Sequence, residues 1–255
     1  MTAPRARVRI RWTTALTLLL TLVPIGAARP ARIQQIEILH SGCFHGHEVS
    51  FGSAGEWFGL YLNRGTFKLA PCTVRVEPCH DSVVDGPAER SGLAVVIDSG
   101  EIPLFLVRGI ENVGLGPASI LTAESERYSS FDGGSNYLRP GESLTLKLGR
   151  GEYRLTAHGK YDSTRPDSDR LVLGYRLALI GPDGQSQDLG APARFAEDGV
   201  PVLLWAGDLD RDGKIDLYMD LTDHYNVRDY VLLLSSHASG GLLVKRVASR
   251  RYVGC

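Results

Sequence analysis

The sequence contains little methionine, no surplus of basic charge and, after residue 28, no long apolar run. Among its 255 residues are 2 methionines, and 28 basic side chains stand against 29 acidic ones. This balance argues against a basic patch of the kind that binds nucleic acid or an anionic membrane. No later segment has the ~20 consecutive apolar residues that a membrane-spanning helix needs. We therefore expect neither a nucleic-acid partner nor a membrane span in the mature chain.

The short motifs of common enzyme classes are also missing. The segment FGSAGEW has Ser53 but lacks the glycine two residues earlier that a nucleophile elbow requires. The segment HEVSF lacks the second histidine of a zinc-protease helix. These absences favour a protein that is not an enzyme. A secreted hydrolase with catalytic residues dispersed in the sequence stays open as an alternative.

The first 28 residues have the composition of a secretory signal peptide. The apolar run 13–23 is followed by small residues up to Ala28, and basic side chains precede it at Arg5, Arg7, Arg9 and Arg11. The run is shorter than a spanning helix, so cleavage after Ala28 is favoured over an uncleaved anchor. Cleavage leaves 24 basic and 29 acidic residues, a net charge of −5. We expect a secreted or periplasmic protein.

The four cysteines fit an oxidising compartment, where an even number predicts disulfides. They are Cys43, Cys72, Cys79 and Cys255. The alternating segment TVRVE separates Cys72 from Cys79, and an extended strand would hold their Cα atoms roughly 23 Å apart. That distance exceeds the ~7 Å limit for a disulfide. We expect Cys255 to tie the C-terminus to an earlier strand, with Cys43 as its partner, although the sequence leaves the pairing open.

Short runs of alternating or apolar residues dominate the chain and predict strands. The dipeptide RG between 56–63 and 66–70 is a hairpin signal, as is GRG between 142–148 and 152–159. The predicted fold is mainly β, an antiparallel β-sandwich or paired sheets. Residues 29–190 are predicted to form a β-rich domain. Residues 200–255 are predicted to form a strand–loop–strand unit packed on it, after the interruption at 190–199.

The segment 207–220, GDLDRDGKIDLYMD, carries aspartates at positions 1, 3, 5 and 9 of a short loop: Asp208, Asp210, Asp212 and Asp216. Calcium binds six to eight hard oxygen ligands. Carboxylates crowded together without a cation repel one another. The loop is not an EF-hand, because Met219 occupies the position of the bidentate glutamate and the flanking segments look like strands.

This loop resembles the calcium loop of FG-GAP repeats, also called VCBS-type repeats, found in integrin-like β-propellers and many secreted bacterial proteins. The resemblance covers roughly residues 200–249. It implies calcium held by the side chains of the four aspartates and by the main-chain carbonyl of Lys214. A propeller needs about 4–8 blades and the sequence has one such loop, so no propeller is predicted. A solvated acidic turn without metal is the alternative.

The segment CFHGHE places Cys43, His45 and His47 at alternate positions. On a strand these side chains share one face, and thiolate and imidazole ligands suit zinc or copper. This possibility competes with a disulfide at Cys43.

The best-supported function is therefore an exported calcium-binding β protein, a non-enzymatic binding or envelope-associated module with a structural calcium. Its expected partners are the calcium ion and an unidentified protein or carbohydrate ligand. The hydrolase and the zinc or copper binder are the alternatives. A cleft with mutually bonded histidine and acid groups would favour the enzyme. A calcium loop remote from any pocket would favour the binding module.

Overall fold

Strands make up almost all of the regular structure in a computed structural model of the chain. It describes residues 35–111, 113–114, 116–117, 119–120, 136–164, 170–196, 199–224 and 226–253. The predicted signal peptide and Cys255 lie outside these residues. In the described part of the chain there are seventeen strands, one short 3-10 helix (Phe51–Ser53) and no α-helix. Every strand pairing is antiparallel, which confirms the predicted fold class.

The N-terminal sheet contains seven strands in the order β1-β6-β3-β4-β5-β2, with β7 paired to β4. Its members are β1 (Glu37–Leu39), β2 (Gly42–Phe44), β3 (Gly55–Asn63), β4 (Thr66–Cys79), β5 (Gly92–Ile97), β6 (Phe105–Arg108) and β7 (Gly116–Pro117). The β3–β4 hairpin turns at Arg64 and Gly65, both at positive φ, as the two-residue signal predicts.

The middle sheet follows the order β12-β11-β10-β9, with β13 paired to β11. Its members are β9 (Ser143–Leu148), β10 (Gly151–Tyr161), β11 (Leu171–Ile180), β12 (Ser186–Asp188) and β13 (Arg194–Ala196). The second predicted hairpin is the β9–β10 turn, where Gly149 has a φ of 56°.

The C-terminal sheet has the order β17-β16-β15-β14-β8. Its members are β8 (Ser119–Ile120), β14 (Val202–Asp208), β15 (Asp216–Asp220), β16 (Val227–Leu234) and β17 (Lys245–Val253). All five residues of β15 are buried. Because successive side chains of a strand point to opposite faces, a strand buried throughout must be covered on both sides.

Two hydrophobic clusters cover the two faces of the C-terminal sheet. Leu217 and Met219 pack in a cluster with residues of the middle sheet such as Leu155 and Leu177. Tyr218, between them in sequence, packs in a second cluster with residues of the N-terminal sheet. The C-terminal sheet is therefore the shared inner layer, and strands on both sides of 190–199 contribute to each cluster. The acidic loop lies at an end of this inner layer.

A disulfide joins Cys43 of β2 to Cys79, the last residue of β4, with a Cα–Cα distance of 6.1 Å. The expected pairing of Cys43 with Cys255 is therefore wrong. β2 and β4 flank β5, and the bridge passes over Gly92, where a Cβ would lie 3.0 Å from the Cys79 sulfur. The absence of a side chain at Gly92 leaves room for this crossing. Cys72 is buried and free, in agreement with the extended-strand argument.

Among the described residues, no helix is long and apolar enough to cross a bilayer.

Candidate metal centre

The loop between β14 and β15 carries the predicted calcium ligands. Asp208 is the last residue of β14 and Asp216 is the first of β15. Gly207 pairs with Asp216 across the hairpin. The chain reverses through Arg211 and Gly213, whose φ angles are 61° and 82°. Gly213 adopts this left-handed conformation without a steric penalty, and the tight bend holds the acidic residues together.

Three of the four aspartates converge. Asp208, Asp210 and Asp216, called here the aspartate triad, each offer one carboxylate oxygen, and these oxygens all lie within 4.8 Å of one another. The side chains are 9%, 9% and 0% exposed. Within the described ranges, no other group of three or more histidine, cysteine or acidic residues has this geometry. The triad is thus a concentrated and nearly buried set of oxygen ligands.

The described donors to Asp216 come from the loop and from β16. The N–H of Leu209 donates to Asp216 Oδ2 at 2.7 Å. The N–H of Ser235, just after β16, donates to Oδ1 at 2.8 Å. The Ser235 hydroxyl lies 3.0 Å from the same Oδ1. Asp216 therefore ties the β14–β15 hairpin to the end of the neighbouring strand.

The other two triad residues are held in a similar way, with one exception. The N–H of Gly213 donates to Asp208 Oδ2 at 3.0 Å, and the Ser236 hydroxyl donates to Asp210 Oδ2. Asp208 Oδ1 is buried and has no hydrogen-bond partner. A buried carboxylate oxygen without a donor is costly. A cation beside Asp208 Oδ1 would remove that cost.

Burial is the main influence on the acidity of the triad. Burial, with a smaller contribution from the negative charge of Asp210, raises the pKa of Asp216 to about 7. Burial also raises the pKa of Asp208, again assisted by neighbouring carboxylates. Without a counter-charge, the ionised triad is unfavourable. A divalent cation would favour the ionised forms by direct attraction.

Asp212 and Lys214 occupy different positions from the triad. Asp212 is exposed, and both of its carboxylate oxygens lie 3.0 Å from the Ser235 hydroxyl. The N–H of Lys214 donates to Asp212 Oδ1 at 2.8 Å. Asp212 therefore borders the triad through Ser235 and is not part of it. Ligation by Asp212 and by the Lys214 carbonyl stays a prediction.

A cavity of about 380 Å³ borders the acidic loop, and its lining includes Lys214 and Ser235. Tyr153 and Asp183 contribute to the wall from the middle sheet and its β11–β12 turn. The loop is therefore not remote from every pocket, so this observation does not favour the binding module over the enzyme.

The structure removes Cys43 from the zinc or copper site predicted at Cys43, His45 and His47. The Cys43 sulfur is in the disulfide, so it is not the thiolate ligand that a zinc or copper site of this kind requires. His45 Nδ1 lies 2.5 Å from Asp81 Oδ2. The rings of His45 and His47 are parallel, with centroids 5.9 Å apart. The partner of His45 is a carboxylate from the segment after β4.

The His45–Asp81 pair lines an open cavity of about 320 Å³, called here the histidine cleft, together with Glu48, Arg228 and Tyr252. Hydrogen bonding to Asp81 raises the pKa of His45, and the same bond lowers the pKa of Asp81. Sequence reasoning missed Asp81. Its one usable signal was its position two residues after Cys79, which becomes informative only when the Cys43–Cys79 pairing is known.

His40 is a second residue that the sequence did not single out. Its Nε2 lies 2.5 Å from the Tyr218 hydroxyl, and its ring centroid is 4.1 Å from that of Tyr230. Its Nδ1 is buried without a hydrogen-bond partner. Burial lowers the pKa of His40 to about 3, with a contribution from the charge of Arg250. His40 is therefore a neutral interior residue at physiological pH.

The resemblance of the acidic loop to FG-GAP repeats stays a prediction. The loop does connect two antiparallel strands, β14 and β15. No protein-family model, curated protein sequence or solved structure matches the chain.

Proposed function

We propose that the protein is an exported, calcium-binding β protein in which the cation stabilises the inner sheet. In this proposal it is a binding or envelope-associated module and not an enzyme. The signal-like residues 1–28 support export. The remaining support comes from the aspartate triad and from its place at the end of β14, β15 and β16.

One observation carries the cation assignment: Asp208 Oδ1 is buried without a hydrogen-bond donor inside a cluster of three nearly buried carboxylates. Hydrogen bonds explain how the other oxygens are tolerated. They do not explain Asp208 Oδ1 or the raised pKa of Asp216. A dication held by Asp208, Asp210 and Asp216 would contact Asp208 Oδ1, and it would offset the cost of ionising Asp216.

The donor set favours calcium over other common metals. The triad offers only carboxylate oxygens, which suit calcium, magnesium or manganese and do not favour zinc or copper. Calcium accepts six to eight oxygens in flexible geometry, whereas magnesium requires near-ideal octahedral geometry. The irregular loop, with Asp212 and the Lys214 carbonyl as further predicted ligands, fits calcium better. The bound ion would supply charge neutralisation and no reaction step.

A cation at the triad would join three neighbouring strands. Asp208 ends β14, Asp216 begins β15, and Ser235 follows β16 while donating to Asp216. At free calcium 100 times the dissociation constant, binding stabilises the folded state by ~3 kcal/mol. For a chain of this length, that corresponds to a rise in melting temperature of roughly 5–10 °C.

The test combines calorimetric titration with thermal melting in calcium and in a chelator. The expected result is one calcium bound per chain and a melting temperature that is higher in calcium. Asp208→Asn removes the charge while keeping the shape, and it should abolish the calcium-dependent rise. Glu101→Gln removes an exposed acid outside the loop and should leave the rise intact. Absence of bound calcium together with equal melting temperatures would overturn the proposal.

Native mass spectrometry of the exported protein tests the remaining features together. Cleavage after Ala28, one bound calcium and a single Cys43–Cys79 disulfide are the expected readings. An uncleaved N-terminus would contradict the export proposal and would leave the calcium result to be judged separately.

A second candidate, a secreted hydrolase, is favoured by one observation. His45 and Asp81 are hydrogen-bonded in an open cleft, as in the general-base pairs of hydrolases. The same segment has a structural role, because Glu48 accepts a hydrogen bond from the Val253 N–H at 2.5 Å. Hydrolysis of 4-nitrophenyl acetate that disappears in His45→Gln would support the enzyme. Equal rates in both proteins would exclude His45 as the base.

A further inference from the structure

Three connections between strands meet around the cavity that borders the acidic loop, called here the loop cavity. The β11–β12 turn contributes Asp183 and Gln185, the acidic loop contributes Lys214, and the segment after β16 contributes Ser235 and Leu242. Its volume of about 380 Å³ is within the range of small-ligand pockets. Binding residues concentrate on loops that a rigid scaffold positions. The loop cavity is therefore a candidate binding site.

Two walls of the loop cavity are fixed to each other by one side chain. Gln187 of β12 donates from Nε2 to the Val244 carbonyl at 2.8 Å, and its Oε1 accepts the N–H groups of Leu243 and Val244 at 2.7 and 3.0 Å. Within the turn, Asp183 Oδ1 accepts the N–H of Gln185 at 3.1 Å. The cavity is thus preformed, and a ligand avoids the entropic cost of ordering these walls.

The lining combines hydrogen-bonding side chains with apolar surface. Of the described residues that line the cavity, only Asp183 and Lys214 are charged, and they carry opposite signs. A ligand with a net charge of either sign therefore meets one like charge. The Asp183 carboxylate accepts hydrogen bonds, the Lys214 ammonium donates them, and the Gln185 amide does both. Tyr153 and Leu242 add apolar surface. This set suits a neutral ligand with several hydroxyl groups and an apolar face.

We propose that the loop cavity binds a neutral sugar residue, and that the cation of the proposed function strengthens this binding. A sugar ring carries hydroxyl groups around its edge, which both donate and accept hydrogen bonds, and C–H groups on its faces. It therefore matches both parts of the lining. The sugar is the ligand class that we assign to the binding module. Only the effect of the cation rests on the proposed function.

Ser235 connects the loop cavity to the aspartate triad. It lines the cavity, and its N–H donates to Asp216 Oδ1 at 2.8 Å. Its hydroxyl lies 3.0 Å from carboxylate oxygens of both Asp216 and Asp212, and Asp212 Oδ1 also accepts the N–H of Lys214. A cation that holds Asp216 in place would therefore help to fix two lining residues. Coupling between two sites is reciprocal, so the sugar should raise the calcium affinity by the same factor.

A pocket for an apolar ligand is the competing explanation. Leu242 is 49% exposed, and Tyr153 lies in the same lining. An apolar pocket does not account for the exposed Asp183 and Lys214 around the same cavity. An apolar ligand would remove water from these charged groups without replacing their hydrogen bonds, which is costly.

Titration by saturation-transfer NMR, in calcium and in a chelator, tests the proposal. The probes are the methyl pyranosides of glucose, galactose and mannose, compared with cyclohexylmethanol, glucuronate and glucosamine. We expect saturable binding of at least one glycoside and weaker binding of the three comparison compounds. Binding of the glycoside should be tighter in calcium. Gln185→Ala and Lys214→Met should each weaken it by roughly tenfold, the effect of one or two lost hydrogen bonds.

Gln35→Ala and Lys147→Met are the matched controls, since both residues are exposed and lie outside the lining, and their affinities should equal that of the unaltered protein. Ser235→Ala should reduce the difference between calcium and chelator. No binding of the three glycosides, or equal binding of cyclohexylmethanol, would overturn the proposal.

Calcium binding is measured in parallel by calorimetry, so that the two proposals fail separately. Calcium binding without glycoside binding would overturn the sugar site and leave the proposed function standing. Glycoside affinities that are equal in calcium and in chelator, in a protein that binds calcium, would overturn the coupling. Glycoside binding by a protein that binds no calcium would support the sugar site and overturn the cation assignment.

Discussion

The acidic loop and the histidine cleft bury carboxylates in opposite ways. In the loop, three aspartates of like charge share one small volume, and their described donors are backbone N–H groups and serine hydroxyls. In the cleft, the buried Asp81 faces a histidine that becomes positively charged on protonation. The triad therefore has no positively charged side chain among these donors, whereas the carboxylate of the cleft has a histidine beside it.

This difference explains why we propose a metal for only one of the two regions. Burial raises the pKa of Asp208 and of Asp216, so ionisation of these two carboxylates opposes folding. The hydrogen bond between His45 and Asp81 moves both pKa values in the direction that keeps the pair ionised. A histidine beside a carboxylate is thus no sign of a metal site when the two already satisfy each other.

The largest expected effect is the pH dependence of the calcium-free loop. The pKa of Asp216 rises from 3.8 to about 7 on folding. The contribution of Asp216 to the free energy of unfolding is therefore fully present below pH 3.8 and is lost as the pH rises through 7. The loss is on the order of 4 kcal/mol. Asp216→Asn should remove this pH dependence. Urea unfolding in a chelator, at intervals between pH 4 and pH 7, measures it.

The control for this experiment is the difference in the free energy of unfolding between the unaltered protein and Asp216→Asn at each pH. The pKa of His40 is lowered to about 3, so His40 destabilises the fold as the pH falls below 6.5 in both proteins. Subtracting one curve from the other cancels that contribution. Parallel curves for the two proteins would show that Asp216 does not carry the unfavourable charge.

The second effect concerns the disulfide that supports the histidine cleft. The cysteines are separated by 36 residues, and loss of such a cross-link destabilises a fold by about 3 kcal/mol. The free energy of unfolding of the double variant Cys43→Ser, Cys79→Ser should be lower by that amount. Urea unfolding measures it. The calcium-dependent rise in melting temperature should persist. The disulfide joins two strands of the N-terminal sheet, whereas the acidic loop connects two strands of the C-terminal sheet. Loss of both effects together would show that the two regions are coupled.

How far the sequence predicts each region depends on the distance between the residues involved. The triad lies within nine residues, so alternate spacing and one glycine were enough to indicate convergence of Asp208, Asp210 and Asp216. The same spacing predicted Asp212 as a fourth ligand, which stays a prediction because its carboxylate lies outside the triad. Its side chain contacts Ser235, which follows a different strand, β16, and is 23 residues away in sequence. Loop spacing alone carries no information on that contact.

The histidine cleft depends on contacts that local pattern does not encode. His45 and Asp81 are 36 residues apart, and they meet because β2 and β4 both pair with β5. The strand length was also underestimated, because TFKLA and TVRVE are parts of one strand, β4. Pro71 lies in the sequence between these two segments. It lies between the part of β4 that pairs with β7 and the part that pairs with β5, so its missing N–H is tolerated.

The third effect separates Asp212 from the triad. Asp212 is exposed and contacts Ser235, whereas Asp208 is buried with an unpaired oxygen. Asp212→Ala should therefore weaken calcium binding and lower the calcium-dependent stabilisation by about 1 kcal/mol, the size of one lost hydrogen bond. Asp208→Asn should abolish that stabilisation. Calorimetric titration of the two variants measures the difference, and equal losses would mean that Asp212 contributes as much to calcium binding as Asp208 does.

The smallest effect is expected at the histidine cleft, where the pair is partly exposed to water. The raised pKa of His45 gives a stabilisation that is present below 6.5 and is lost as the pH rises through the folded value. The lowered pKa of Asp81 gives a stabilisation that is present above pH 3.8 and is lost as the pH falls through the folded value. The pair therefore stabilises most between these limits. Asp81→Asn should lower the pKa of His45, as measured by the NMR titration of its ring protons. An unaltered His45 titration would mean that Asp81 does not hold the proton on the ring, and the contrast between a self-neutralised cleft and a cation-dependent loop would then fail.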